Sequence, residues 1–330
     1  MCTAMSLIAK NNNVFFGRTM DFSYELDPEV YIVPRNYTWN TGINNHAVTN
    51  KYKFIGIGQN IGNVTFADGT NELGLAGAVL YFPGYADYNS YDNKKNNIYI
   101  GSTDLINYIL GNCSDINETI KVLNNINITG KEDAITNSVA PLHWIFIDKN
   151  NNCITVEKTS NSLKIFNNEL KILSNSPVFD WHMSNLRNYL NVNPNQLERV
   201  FWKDVLLSPF GQGAGTTGLP GDYTSPSRFV RTAFLKSFTS IPLTNDEAVN
   251  TCFNIMKSVT IPRGVVITKR GTDDYTQYTA FMNINTGDYY FNTFSNNQIL
   301  KANINDINDN NIVTIGKIKK QIKFDILCNL

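Results

Sequence analysis

The chain opens MCTAMSLIAKNNNVFFGRTMDFS, which places a cysteine at position 2, directly after methionine. Removal of Met1 is expected because cysteine is small, and it would leave Cys2 with both a thiol and a free α-amine. An α-amine titrates near roughly 7.7–8.0 and a free thiol near about 8.5. Near neutral pH the amine can therefore take the thiol proton, directly or through water. One residue would then supply nucleophile and base, suited to attack on an amide carbonyl followed by hydrolysis of a thioester. Arg18 and Asp21 follow closely. A guanidinium near the sulfur favours the thiolate, and a carboxylate can orient an ammonium or a reacting amine. By position alone, Cys2 reads better as a small residue in a buried strand; the balance changes with the motifs that accompany it.

These residues need strands to hold them. Cys2 to Ala9 and Val14 to Met20 flank Lys10-Asn11-Asn12-Asn13, a hairpin signature. A two- or four-residue loop pairs positions that sum to 23, which sets Cys2 opposite Asp21 on one face. The same register sets Arg18 opposite Met5 on the other face, so Arg18 reaches the thiol only through a bend or bulge, for which Gly17 is the candidate. Cys2–Ala9 is apolar on both faces, as a strand inside a layered sandwich would be. Further strands are expected at 31–34, 53–57, 64–66, 75–82, 142–148, 153–158, 275–283 and 289–294, with a strand-like tail after Asn311. Helices are expected at 103–110, at 116–126 behind Ser114 and Asp115, from 180 through 190, at 225–238, and at 245–259 with Thr244 and Glu247 as a capping box. Strands, a helix pair, strands, helices and strands in that order give an α+β chain with mostly antiparallel sheets. No repeat or linker divides it, so 1–330 is read as one domain.

Composition excludes several classes. Lys+Arg and Asp+Glu are both 28, and no basic run marks a nucleic-acid footprint. The densest basic stretch, Gly316-Lys317-Ile318-Lys319-Lys320-Gln321, reads as an edge strand with gatekeeper lysines. The first residues lack a signal-peptide pattern, and no run of about 18 apolar residues suggests a membrane span. Cys2, Cys113, Cys153, Cys252 and Cys328 are scattered, with no metal-like spacing to His46, His143 and His182. A reducing cytoplasm is the expected setting, and no metal or organic cofactor is indicated. Apart from Cys2, the cysteines read as buried hydrophobes.

Met1-Cys2-Thr3, Gly17-Arg18-Thr19-Met20-Asp21 and GQGAGTTGLPGDYTSPSRFVR from Gly211 to Arg231 together resemble the choloylglycine hydrolase family. The likeness extends through Pro141-Leu142-His143-Trp144, Ser174-Asn175-Ser176-Pro177, Asp180-Trp181-His182 and Ile261-Pro262-Arg263-Gly264-Val265-Val266. Each motif is weak alone; their order and spacing carry the assignment. The family contains bile salt hydrolases and penicillin V acylases, both N-terminal nucleophile hydrolases. The resemblance implies an αββα four-layer sandwich. It also implies a Cys2 nucleophile beside Arg18 and Asp21, an Asn175 side chain in the oxyanion hole, and Arg228 near the thiol. Ser174 departs mildly from a threonine often found there. Alone, Asn175 reads as a turn residue, Arg228 as a surface ion-pair partner and Asp21 as a turn cap. His143 and His182 are expected to be structural. An extension around 188–222 is expected to assemble a homotetramer.

The acyl group is harder to read. The strand Leu75-Ala76-Gly77-Ala78-Val79-Leu80-Tyr81-Phe82-Pro83 has Tyr81 where bile salt hydrolases commonly carry asparagine. Tyrosine there resembles penicillin V acylases, and its backbone N–H would still serve the oxyanion. Met20, Ala67 and Tyr81 are candidate pocket lining by resemblance. The expectation is therefore a small-molecule acyl amide substrate: phenoxymethylpenicillin first, glycine- or taurine-conjugated bile acids as the alternative. An acyl homoserine lactone or an inactive binding paralogue is less favoured.

Overall fold

The computed structural model describes residues 1–92, 98–133, 136–160, 162–318 and 321–322. Cys328, Lys319 and Lys320 lie outside the described residues. Two antiparallel sheets form the centre. The six-stranded sheet runs Ile172–Leu173, β1 (Cys2–Ile8), β2 (Val14–Phe22), Tyr275–Asn283, Asp288–Thr293 and Asn296–Asn303. The eight-stranded sheet runs Leu163–Asn167, Cys153–Lys158, Leu142–Asp148, Leu75–Tyr81, Val64–Asn71, Phe54–Asn60, Glu29–Val33 and Val313–Lys317. The last of these is an edge of the sheet and ends at Lys317, so it covers only the start of the 316–321 stretch expected there.

Side-chain alternation explains why both sheets are covered twice. Ala76, Ala78, Leu80, Ile145 and Ile147 join the core shared with the six-stranded sheet. Their neighbours Leu75, Trp144 and Phe146 join a second core with α1 (Leu105–Asn112) and α2 (Ile116–Leu123). Beyond the six-stranded sheet, α4 (Ser225–Phe238) and α5 (Asn245–Lys257) pack on its outer face, while α3 (Phe179–Asn185) follows the Asn175 loop. The layers are therefore helix, sheet, sheet, helix, the expected αββα order.

Local signals behave as their chemistry predicts. Asp115 accepts from Glu118 N at the start of α2, and Thr244 accepts from Glu247 N at the start of α5. Glu247 Oε2 reaches back one residue further than a capping box requires, to Leu243 N at 2.7 Å. α1 begins two residues later than expected, because Thr103 and Asp104 precede its first turn. α3 is shorter than expected and tightens into a 3-10 turn at Leu186–Tyr189. The parallel pair Ile98–Gly101 and Ile126–Thr129 was not expected.

The first hairpin corrects the expected register. Ala9 N–H donates to Asn13 O at 3.0 Å, and Asn12 adopts φ 64°. The loop thus has three residues, closed by a left-handed asparagine, and the pairs are Cys2↔Met20, Thr3↔Thr19 and Ala4↔Arg18. Lys149-Asn150-Asn151 closes the second hairpin in the same way, with Asn151 at φ 63°. One residue of slip reverses the faces of the earlier expectation. Arg18 shares the inner face with Cys2 and needs no bulge. The Asp21 carboxylate lies on the opposite, helix-covered face. Gly17 serves packing instead: a Cβ there would stand 2.0 Å from Ala280 O and 2.5 Å from the Phe281 ring. Gly17→Ala should destabilise the protein by about 1–3 kcal/mol, read as a lower urea midpoint; an unchanged midpoint would contradict this close approach.

Candidate active site

Cys2 starts a strand that is buried from its first residue, yet its thiol lines a cleft of about 430 Å³. The cleft opens where Val64–Asn71 stops pairing with Leu75–Tyr81: the last pair is Asp68↔Ala78. Ile57, Phe66, Ala67 and Leu142 form apolar walls, and Met20 and Tyr81 also line it. The three residues named from the sequence as candidate pocket lining therefore all border this cleft. The Tyr81 ring is 37% exposed and sits at the rim.

On the inner face, Arg18 is fully buried and its Nη2 donates to Cys2 Sγ in a short contact. Nε donates to Thr19 O at 2.9 Å and Nη1 to Ala67 O at 3.2 Å. Nη1 also lies 3.8 Å from the buried carboxylate of Asp68. That carboxylate accepts from Tyr278 Oη at 3.0 Å and from Tyr289 Oη. Burial pulls the Arg18 pKa down, but Cys2, Tyr278, Asp68 and Asp21 outweigh it and hold the guanidinium above its ordinary value. Burial pushes Asp68 up, opposed by Arg18 and the two tyrosine hydroxyls. Arg18 therefore presents a fixed positive charge to the sulfur.

On the outer face, Arg228 projects from the first turn of α4 and is also fully buried. Nη1 donates to Cys2 O and to Thr3 Oγ1, both at 2.6 Å, and Nη2 donates to Asn175 Oδ1 at 2.6 Å. Asp21 lies 3.7 Å from Nη1 and accepts from Thr276 Oγ1 at 2.6 Å. Burial raises the Asp21 pKa and lowers that of Arg228; their attraction opposes both shifts. Arg228 is no surface partner, and Asp21 is no turn cap.

Asn175 links the two faces. Its Oδ1 accepts from Cys2 N at 2.7 Å, and its Nδ2 donates to Tyr81 O at 2.6 Å. Fixing Oδ1 by two donors sets the amide hydrogens toward Tyr81, whose carbonyl takes one of them. Phe82 N–H donates to Pro141 O at 2.7 Å, so Tyr81↔Leu142 is a non-hydrogen-bonded pair and the Tyr81 N–H turns away from that strand. The Asn175 loop is braced from behind. His182 Nε2 bonds Asn175 O at 2.8 Å, His143 Nε2 bonds Ser174 O at 2.8 Å, and Ser225 Oγ accepts from Asn175 N at 2.9 Å.

Met1 is present, so the Cys2 nitrogen is a peptide nitrogen. The Met1 ammonium donates to Asp21 O at 2.5 Å and lies 3.5 Å from Asp274. The Asp21 backbone, rather than its carboxylate, faces the thiol, with O 4.0 Å from Sγ. Sequence reasoning missed Asp68, Tyr278, Tyr289 and Thr276, which lie on strands distant in sequence from Cys2, and Asp274, which precedes the strand Tyr275–Asn283; none forms a motif.

A family model described as linear amide C–N hydrolases, choloylglycine hydrolase family, matches residues 2–315. A "Bile salt hydrolase/transferase" of Clostridium perfringens is 36% identical over 98% of this chain and 99% of that protein. A "Conjugated bile acid hydrolase" of Lactobacillus gasseri is 34% identical over 92% of this chain and 95% of that protein. The crystal structure of a C2A mutant of the Clostridium perfringens conjugated bile acid hydrolase superposes with TM-score 0.91 at 35% identity, covering 99% of this chain and 100% of that one. A penicillin V acylase from Agrobacterium tumefaciens shares the fold, with TM-score 0.74 at 22% identity over 93% of this chain and 87% of that one.

Burial holds the His182 imidazole down to about 4, against its ordinary 6.5, despite the bond to Asn175 O. The unfolded chain therefore binds a proton that the native state refuses between those values. Stability falls as pH drops from 6.5 toward 4, by about 3 kcal/mol from this group alone. Urea midpoints of the wild type and His182→Gln between pH 7 and 4 should converge on acidification; parallel curves would show that His182 is not held neutral.

Proposed function

Because the chain belongs to the choloylglycine hydrolase family and is a linear amide C–N hydrolase, we propose that its substrates are glycine- or taurine-conjugated bile acids and that Cys2 is the nucleophile. The observation that carries this reading is the Cys2 thiol, bonded to the buried Arg18 guanidinium, in the wall of an apolar cleft. The names of the relatives favour bile acid conjugates over the phenoxyacetyl amide that Tyr81 alone suggests. The cleft agrees, since its walls combine aliphatic Ile57, Ala67 and Leu142 with the Phe66 ring, and Tyr81 stands at the rim.

After loss of Met1, the freed α-amine takes the thiol proton and the sulfur attacks the acyl carbonyl. Arg18 stabilises the thiolate. The spare Asn175 Nδ2 hydrogen and the Tyr81 N–H receive the oxyanion; loss of one such donor typically costs about 10²–10³ in rate. The tetrahedral species collapses, the C–N bond breaks, and the amine leaves with the proton held by Cys2. Water then hydrolyses the thioester, with the α-amine again as base. Arg228 and Asp21 act from the far face by fixing the Cys2 carbonyl and Asn175.

The extension around 188–222 supports a further part of the reading, a homotetramer. The ribbon Val200–Trp202 and Val205–Leu207 exposes Phe201 at 68% and Trp202 at 72%. A lone two-stranded ribbon is marginal in water, and an exposed apolar patch of this kind marks an interface. A catalytic thiol also suits a reducing cytoplasm. Among the described residues, no helix is long and apolar enough to cross a membrane.

Two measurements test these readings. The Met1-free enzyme should cleave glycocholate much faster than phenoxymethylpenicillin, and Cys2→Ala should abolish both rates while keeping the wild-type melting profile. A faster penicillin rate would reverse the substrate assignment, and an active Cys2→Ala would remove the mechanism. Light scattering should give about four times the 37.2 kDa chain mass, reduced in the double variant Phe201→Asp, Trp202→Asp; a wild-type monomer would end the assembly reading.

A further inference from the structure

The position of Met1 marks a volume that the mechanism must use. The departing amine takes its proton from the Cys2 α-nitrogen, so it must come within hydrogen-bonding distance of that atom. Met1 is covalently attached to the same nitrogen and lines the cleft beside Cys2. Its removal therefore opens space on the side where the amine leaves. The turn that carries Arg270 lines the same cleft as Met1 and Cys2. Asp274, which contacts the Met1 ammonium at 3.5 Å, closes this turn: Asp274 N donates to Val266 O at 2.8 Å, and Ile267 bridges Asp273. The turn is internally tied. Thr268 N donates to Thr272 O and Gly271 N to Thr268 O, both at 2.9 Å, and Gly271 takes φ 76°.

Arg270 is held over the cleft by neutral groups. Nη1 donates to Tyr24 Oη at 2.6 Å and Nη2 to Ser23 Oγ at 2.8 Å. The guanidinium carbon lies 4.2 Å from the centre of the Tyr24 ring. These contacts orient the planar fork without neutralising it, and they occupy two of its five donor hydrogens. Lys269 lines the same cleft. A solvent-facing cation fixed by a ring and two hydroxyls, at the edge of an apolar cleft, is suited to a carboxylate or sulfonate.

We propose that the space left by Met1 is the subsite for the departing amine, and that Arg270 binds an acidic group on that amine. Arg270 is then a specificity residue that favours amides whose amine half carries an acid over neutral ones. This rests on the proposed function but not on the choice of acyl group. Glycine, taurine and 6-aminopenicillanic acid all leave as amines that carry an acid.

The test compares glycocholate with the neutral ethanolamine amide of cholic acid, for wild type, Arg270→Ala and Arg270→Lys. Arg270→Ala should lower the ratio of kcat/KM for glycocholate over the ethanolamide about tenfold, mainly through KM, as for an ionic contact at a partly solvated site. Arg270→Lys should fall between. Added salt should shrink the wild-type ratio and leave that of Arg270→Ala nearly flat. The neutral amide also reports on folding, since a misfolded variant would lose both activities together. An unchanged ratio in an active Arg270→Ala, or an equal loss on both amides, overturns the assignment of Arg270 alone. Absence of wild-type turnover on glycocholate and on phenoxymethylpenicillin overturns the proposed function, and this inference with it.

Discussion

The buried guanidinium of Arg228 is the tie on which the rest of the site depends. With one side chain it holds the carbonyl of Cys2, the hydroxyl of Thr3 and the amide oxygen of Asn175. It thereby joins the first residues of the chain, the loop after Ile172–Leu173 and the start of α4. A chain end frays unless something pins it. A thiol held in place at position 2 therefore needs an anchor that does not use its own side chain, and Arg228 provides one through backbone and neighbour. Asp21, 3.7 Å away, makes the buried charge tolerable; a lone ion there would carry a desolvation cost of several kcal/mol.

The six-stranded sheet separates two electrostatic compartments. On the helix side, Arg228 and Asp21 form a structural pair. On the sheet side, Arg18 faces the sulfur and Asp68. The strand alternation keeps these sets apart, because odd and even residues of one strand point to opposite faces. Arg18 contacts the thiol from the face opposite the Asp21 carboxylate, although only Thr19 and Met20 lie between them in sequence. Asp68 does not neutralise it either: its oxygens are shared with Tyr278 and Tyr289, and its distance to Arg18 exceeds that of a close ion pair.

Much of this was legible in the sequence, and the failures have specific causes. The strands Leu142–Asp148, Cys153–Lys158 and Tyr275–Asn283 and the helix Ser225–Phe238 follow from periodicity and turn residues. Cys2, Arg18, Asp21, Asn175 and Arg228 do come together. The register of β1 on β2 was misread because it depends on a single backbone choice, the left-handed φ of Asn12. A run of three asparagines permits several loop lengths, and each odd change exchanges the faces. Asp68, Tyr278 and Tyr289 escaped notice for another reason. They lie on three strands in two sheets, and an aspartate or tyrosine in a strand carries no local sign of its partner. Asp274 was hidden in the same way: only tertiary structure brings position 274 to position 1.

The role of Asn175 depends on which bonds are already taken. An amide whose oxygen is free could rotate and present either end to a substrate. Here two donors, Cys2 N and Arg228 Nη2, converge on Oδ1, so rotation would set an NH₂ against two N–H groups inside a buried space. The amide is locked with its hydrogens toward Tyr81. In a chain without Met1 the Cys2 nitrogen would be an amine that could still donate to Oδ1, so this lock does not depend on Met1. The same contact would hold that nitrogen beside its own thiol. His182 and His143 grip the carbonyls of Asn175 and Ser174 from behind. The position of Cys2 is thus set by neutral and charged donors arriving from the chain's other elements, and Arg18 is left to contact the sulfur.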